Sequence, residues 1–396
     1  MMKRVFLPAT VAVLISGACS STSPWPGVPL AALAAADTSS LTARLGVDTI
    51  AIERIIRTPR RVEAEIVVRS PRTSLQRHVA DLDAMGNLSR LEVATIDPAT
   101  GALLGKTVYT RDADSMRVAT ERGDERTSRS VAAVPGVLPF IDLVHWPFDI
   151  ALRRLRQSGA ASVDAPILSG QRVSPFPLAL AGTDSATITH PTRGTMRLQV
   201  LPDGSIRTLD AGATTRALIV TRGTGADITA LARDYAARDA AGRGIGELSG
   251  RGGGEAQVLG ATITLDFGQP VKRGRHIWGG LVDYGALWRT GANRATHFKT
   301  DRALRFGSLD VPAGEYTLFS IPAADGGLLI INRQTGQNGQ QYDEKQDLGR
   351  VRMTVRPLDE VVEVFAISAR EENGRGLLAL QWDNVERVAG FTVANP

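Results

Sequence analysis

One cysteine, Cys19, occurs in 396 residues, so no intrachain disulfide can form and stability must come from buried area. Histidine is also scarce. His78, His145, His190, His276 and His297 form no His-x-x-x-His pair, and no zinc helix motif is present. His276 and His297 are 21 residues apart and could meet across adjacent strands. The Gly-x-Ser-x-Gly elbow and the Ser-x-x-Lys pair of nucleophilic hydrolases are absent. So is a phosphate loop: Gly242-Arg243-Gly244 has no third glycine at the required spacing and no following Lys-Ser/Thr. These absences leave no metal and no cofactor to expect. Past residue 18 no apolar run is long enough to span a bilayer, which takes about 20 residues. The charge excess is small. A formal +5 falls by the two charges of Lys3 and Arg4 to +3 if the first residues are removed. The many arginines alternate with acids, as in Arg233-Asp234 and Arg238-Asp239, rather than forming a basic face, so a nucleic-acid partner is not expected.

What is present begins with a charged start at Lys3-Arg4, an apolar Val5–Ile15 and the small Ser16-Gly17-Ala18. This is the layout of a secretory signal over 1–18. Gly17-Ala18-Cys19 resembles a bacterial lipobox, with Ser16 where a larger aliphatic residue is preferred. Two readings fit: acylation at Cys19, anchoring the chain to a membrane, or ordinary cleavage nearby. Either one places the mature protein outside the cytoplasm, in the periplasm or on the outer membrane as a lipoprotein. Residues 19–37, rich in Ser, Pro and Ala, read as a flexible tether.

From 38 to 241 the pattern is mainly β. Thr49–Ile55 and Arg61–Val68 alternate with the period of two that a half-buried strand needs, and turn residues such as Ser70-Pro71, Gly86-Asn87 and Thr100-Gly101 separate the runs. The layout predicts an antiparallel β-meander domain with two helices. Trp146-Pro147 opens the first helix and Gly159 stops it; Asp227 caps the second, and Gly242 ends it. Leu201-Pro202-Asp203-Gly204 is a hairpin turn. The strand layout resembles the curved sheets of periplasmic lipid- or lipoprotein-carrying proteins, which implies an apolar cavity between sheet and helices. Seven of the thirteen residues in 242–254 are glycine, which predicts a linker there. A second β-domain, a β-sandwich, is expected over 255–396. Its acid pairs, Asp359-Glu360 and Glu371-Glu372, read as solvated turns.

In this second domain a series of motifs stands out: Arg273-Gly274-Arg275-His276-Ile277-Trp278-Gly279-Gly280, then Trp288-Arg289-Thr290-Gly291-Ala292-Asn293, then Ala313-Gly314-Glu315-Tyr316 ahead of Ile321-Pro322. The series resembles DUF2911, a domain-of-unknown-function family, and covers about a third of the chain. The resemblance implies no activity, substrate or cofactor. His276, His297 and Asp266-Phe267 depart from its pattern.

The Trp288–Asn293 block is the leading site candidate. Arg289 offers a planar fork to a carboxylate or sulfate, Asn293 donates and accepts, and Trp278 and Trp288 offer a flat platform for a sugar ring, with Tyr316 nearby in the pattern. The bland alternative makes Trp288 a core residue and pairs Arg289 with a buried acid. Three functions follow. The leading one is a non-enzymatic envelope protein that binds a small molecule or envelope component. The second is an exported hydrolase or carbohydrate-active enzyme with its site near Trp288–Asn293. The third is a periplasmic carrier of apolar ligands.

Overall fold

In the computed structural model of the protein, residues 37–214 and 216–394 are described. The expected signal, Cys19 and all of the expected tether but Asp37 lie outside them.

The described chain is mainly β with two helices, as the alternation predicts. Its N-terminal strands are β1 (Asp37–Leu45), β2 (Asp48–Thr58), β3 (Arg61–Val68), β4 (Ser74–Leu82), β5 (Leu88–Ile96), β6 (Leu103–Asp112), β7 (Ser115–Arg122), β8 (Glu125–Ala132) and β9 (Leu138–Pro139). Helix α1 (Trp146–Ser158) follows, then β10 (Ser162–Ser169), β11 (Arg172–Ala181), β12 (Ser185–His190), β13 (Gly194–Val200), β14 (Ile206–Asp210), β15 (Ile219–Gly223) and α2 (Ile228–Ala240). All fifteen strands join one sheet in the order β8-β7-β6-β5-β4-β3-β2-β1-β15-β14-β13-β12-β11-β10-β9. Two meanders therefore run outward from the β1–β15 pair, a long-range closure that local turn signals do not encode. The sheet curls, and Arg129 on the β8 edge donates to the Gly170 carbonyl beyond β10.

Helix α1 lies inside this curve, buried along ten residues that include Asp149, Arg153 and Arg154. Its start is held by the sheet. Glu53 on β2, 1% exposed, accepts from the backbone N–H groups of His145 (2.7 Å) and Trp146 (3.1 Å) and contacts His145 Nδ1 at 2.8 Å. Glu53 thus does the work of an N-cap from a strand. Helix α2 packs on the opposite face, where Ile228 and Ala232 meet Ile52, Val67 and Leu75. Asp227 caps it, accepting from Ala230 N–H at 2.9 Å.

His78 on β4 is 1% exposed, and burial pushes its imidazole down to about 3. The neutral ring is satisfied there: Nδ1 accepts from Trp146 Nε1–H at 3.0 Å and Nε2 faces Gln76 Oε1 at 3.0 Å. A folded value below the ordinary 6.5 means the unfolded chain takes up the proton first. The His78 contribution to stability is full above pH 6.5 and is lost as pH falls toward 3, by about 1.4 kcal/mol per pH unit. Denaturant titrations from pH 7 to pH 4 should show a steeper acid loss in the native chain than in His78→Gln. Equal slopes would exclude this group as the cause.

The C-terminal region is a sandwich. One sheet has the order β16-β17-β18-β21-β22-β23 and the other β20-β19-β25-β24. The strands are β16 (Ser249–Val258), β17 (Ala261–Pro270), β18 (Thr296–Thr300), β19 (Leu304–Phe306), β20 (Leu309–Val311), β21 (Gly314–Ala323), β22 (Gly326–Asn332), β23 (Asp347–Arg352), β24 (Thr354–Glu372) and β25 (Arg375–Val393). Ile263, Leu265, Phe298 and Leu318 from the first sheet share a core with Phe365, Leu378, Trp382 and Phe391 from the second.

Two sequence expectations give way here. The 242–254 segment is not wholly a linker, because Ser249–Gly254 pair with Leu265–Pro270 as part of β16. A Cβ at Gly252 would sit 2.4 Å from the Gln269 side chain, and one at Gly253 2.4 Å from the Leu265 carbonyl. These glycines permit a close approach rather than loosen the chain. Asp359-Glu360 and Glu371-Glu372 lie within β24 rather than on turns, and Glu372 pairs with Arg356 at 2.7 Å.

The two β regions meet at the β1–β2 turn. Val47 N–H donates to the Arg273 carbonyl at 3.0 Å, and the 5% exposed Arg273 pairs with Asp48 while donating to the carbonyls of Ile245 and Glu247. Gly46 has φ +59°, and a Cβ there would lie 1.9 Å from the Arg273 oxygen. Only glycine suits that position.

Candidate functional site

Beside this junction a cleft of about 780 Å³ opens, with walls from both β regions. That volume falls within the roughly 300–1,000 Å³ usual for small-molecule sites. The C-terminal wall contains Trp288, Arg289, Asn293 and Arg294, and the loop Asn338–Gln340 with Tyr342 closes one side. The N-terminal wall contributes Thr192 and Arg193 from the β12–β13 turn and Thr214 and Arg216 from the β14–β15 turn.

The Trp288–Asn293 segment is pinned hard. Trp288 and Ser320 of β21 exchange backbone hydrogen bonds at 2.7 and 2.8 Å. Thr290 Oγ1 bonds Ser320 Oγ at 2.9 Å, and Thr296 Oγ1 donates to the Thr290 carbonyl at 2.6 Å. A Cβ on Gly268 of β17 would stand 1.9 Å from the Ala292 oxygen. Thr290 and Asn293 are held at φ 53° and 63°, and for a β-branched threonine that is a strained backbone. Strain of this kind persists where surrounding contacts over-determine the chain, and it concentrates at functional sites.

Arg289 rests in this frame half-buried. A Cβ on Gly339 would come within 2.7 Å of its Cδ, so the 338–340 loop packs on its stem. Its one hydrogen bond among the described residues is a long one, Nη1 to the Asn293 carbonyl at 3.4 Å. Burial lowers its pKa, and no carboxylate lies within ion-pair distance among the described residues. Arg289 is therefore a partly desolvated cation without a counter-charge. Arg275, whose guanidinium is also pushed down by burial and then by Arg273, spends its donors on the carbonyls of Lys272 and Val271.

Arg193, Arg216, Arg275, Arg289 and Arg294 line the cleft against one lining carboxylate, Asp283, and no histidine. Cations in a concave, low-dielectric wall raise the local concentration of anions. Glycoside hydrolysis by the usual two-carboxyl route needs a facing pair, and the lining supplies a single acid.

The other expected site residues lie elsewhere. Trp278 is a core residue, 5% exposed. Its Nε1–H donates to the Trp382 carbonyl at 3.1 Å, and the Arg387 guanidinium sits 4.3 Å from its ring centroid. No face remains for a ligand. Tyr316 is 7% exposed and donates its hydroxyl to the Pro312 carbonyl at 2.9 Å. Trp288 does reach the cleft, stacked on Trp382 at 6.1 Å and 13°. His276 is in an exposed loop, whereas His297 pairs with Asp266 and Thr317 within the sheet, so the two are not strand neighbours. Among the described residues no three of His, Cys, Asp and Glu converge on a metal-sized point. No helix among them is long and apolar enough to cross a membrane. The cavity beside α1, lined by Phe140, Phe148, Met196 and Leu218, measures about 40 Å³. That is room for about one water rather than an acyl chain.

Residues 252–389 match the family described as "Protein of unknown function (DUF2911)". No curated protein matches the chain. Among solved structures, the crystal structure of a "Beta-barrel-like Protein of Domain of Unknown Function DUF1849 from Brucella abortus" is similar at 10% identity, covering 48% of this chain and 97% of that one, with a TM-score of 0.31.

Proposed function

We propose that this chain, whose C-terminal third is a DUF2911 region, is a non-catalytic binding module of the cell envelope that takes an acidic sugar in the cleft between its two β regions. The observation that carries this reading is Arg289: half-buried, without a carboxylate partner, on a strained turn at the wall of the cleft. A ligand carboxylate supplies the missing counter-charge through the bidentate geometry a guanidinium favours. The neighbouring Trp288, stacked on Trp382, adds apolar surface to the wall beside a sugar ring, and Asn293, Asn338 and Gln340 offer donors and acceptors for hydroxyls. The single carboxylate in the lining favours binding over hydrolysis, and the small cavity at α1 weighs against an apolar carrier.

The envelope setting rests on the Lys3–Cys19 signal and its lipobox-like end. Mass spectrometry of the mature protein should find Cys19 first and acylated; an unmodified terminus downstream would remove the anchor. The binding claim is tested by calorimetric titration with D-galacturonate and D-galactose, which differ at the carboxylate. Saturable heat with the acid and none with the neutral sugar is expected. Equal responses, or none to either, would refute the reading.

A further inference from the structure

The N-terminal wall of the cleft carries an ion cluster that the Arg289 site leaves unused. Asp142, between β9 and α1, divides its carboxylate between two arginines, Oδ1 to Arg193 Nη1 at 2.9 Å and Oδ2 to Arg216 Nη2. Two guanidiniums share one negative charge, so the cluster holds one positive charge in excess. His190 adds none near neutrality, because burial and then Arg193 push it down to about 4. The arginines are the more buried partners, with side chains 28% and 31% exposed against 42% for the aspartate. The Arg193 guanidinium is further held over the Phe140 ring at 5.1 Å. The carboxylate is thus the most exposed member of the cluster, while both cations line the cleft wall.

We propose that Arg193 and Arg216 form a second anion seat, occupied in the free protein by Asp142 as an internal stand-in, so that the cleft takes an acidic oligosaccharide whose successive carboxylates bridge its two walls. This rests on the reading of Arg289 as the first seat. A ligand with one acid group satisfies the C-terminal wall and leaves the N-terminal excess charge unanswered. A ligand with several acid groups meets both walls, and its second carboxylate displaces Asp142 from the arginines. The cleft is also larger than one sugar ring needs. Seats joined in one ligand convert the second contact into an intramolecular event, which multiplies affinity without any new residue. Because the walls belong to different β regions, the bridging ligand also ties those regions together.

The test is the ratio of affinities for trigalacturonate and D-galacturonate at low ionic strength, measured by calorimetry on the full mature chain. In the native protein the trimer should bind at least tenfold more tightly. Asp142→Asn removes the internal competitor's charge and should raise the ratio about fivefold. Arg216→Gln should bring it down toward one. A merely structural Asp142 predicts a lower unfolding midpoint for Asp142→Asn and no rise in the ratio. If the native chain binds the trimer no more tightly than the monomer and Asp142→Asn leaves that ratio unchanged, the second seat is wrong while the first stands. If neither sugar acid binds the native chain, both fall.

Discussion

The Arg289→Gln variant is expected to bind D-galacturonate about 30-fold more weakly than the native chain, the equivalent of about 2 kcal/mol. The size follows from the environment. The guanidinium is already partly stripped of water and has no internal acid, so its charge is available to a ligand, and a charge-assisted bidentate contact is worth more there than at an open surface. The same substitution should leave the unfolding midpoint unchanged or raised, since it removes a desolvated charge whose hydrogen bond, to the Asn293 carbonyl at 3.4 Å, is long and weak. Loss of binding with retained stability separates a recognition residue from a structural one. A drop in midpoint equal to that of a core truncation would show that Arg289 holds the fold instead.

Asp149→Ala should be the most damaging single change in the N-terminal region, costing about 3–5 kcal/mol. Asp149 is 5% exposed on the first turn of α1, where a carboxylate also complements the helix dipole. Its Oδ1 accepts from the Ile206 backbone N–H at 2.8 Å and from Arg222 Nη2 at 2.6 Å, and its Oδ2 from Arg153 Nε at 3.1 Å. Arg153, 3% exposed, also reaches Asp37 at 2.9 Å and Asp203 at 2.6 Å. The network thus ties β1, α1, the β13–β14 turn and β15 together across the seam where the two meanders join. Truncation strands Arg153 and Arg222 with fewer counter-charges and orphans a buried N–H. Urea denaturation gives the cost directly. A loss below about 1 kcal/mol would mean that water or a side-chain shift repairs the site.

Much of the secondary structure was legible because it rests on local chemistry. Trp146-Pro147 and Gly159 bound α1, whose cap glycine sits at φ 70°, and Asp227 caps α2. The Leu201–Gly204 hairpin joins β13 to β14, with a register shift between Gln199 and Val200. Pairing between distant segments was not legible. Nothing in Leu41–Arg44 announces that it pairs with Ile219–Arg222, and Glu53 in an alternating strand reads as a solvent-facing residue although it caps a buried helix. Glycine misled in the 242–254 segment, where lack of side chains means close packing in its second half.

The site divides the same way. Trp288, Arg289 and Asn293 stood out as one contiguous motif, and the structure brings them to one cleft. Trp278 and Tyr316 lie in equally distinctive motifs but are buried, and a motif cannot say which way an indole faces. Arg193, Arg216 and the Asn338–Gln340 loop carried no signal, because their role depends on how two separate β regions meet.

On the proposed reading Arg289 awaits a carboxylate. A crystal structure of the mature chain with D-galacturonate tests it most directly. The sugar should lie in the junction cleft, its carboxylate within hydrogen-bond distance of both terminal nitrogens of Arg289 and its ring against Trp288. A ligand bound elsewhere, or seated in the cleft with its carboxylate turned away from Arg289, would contradict it.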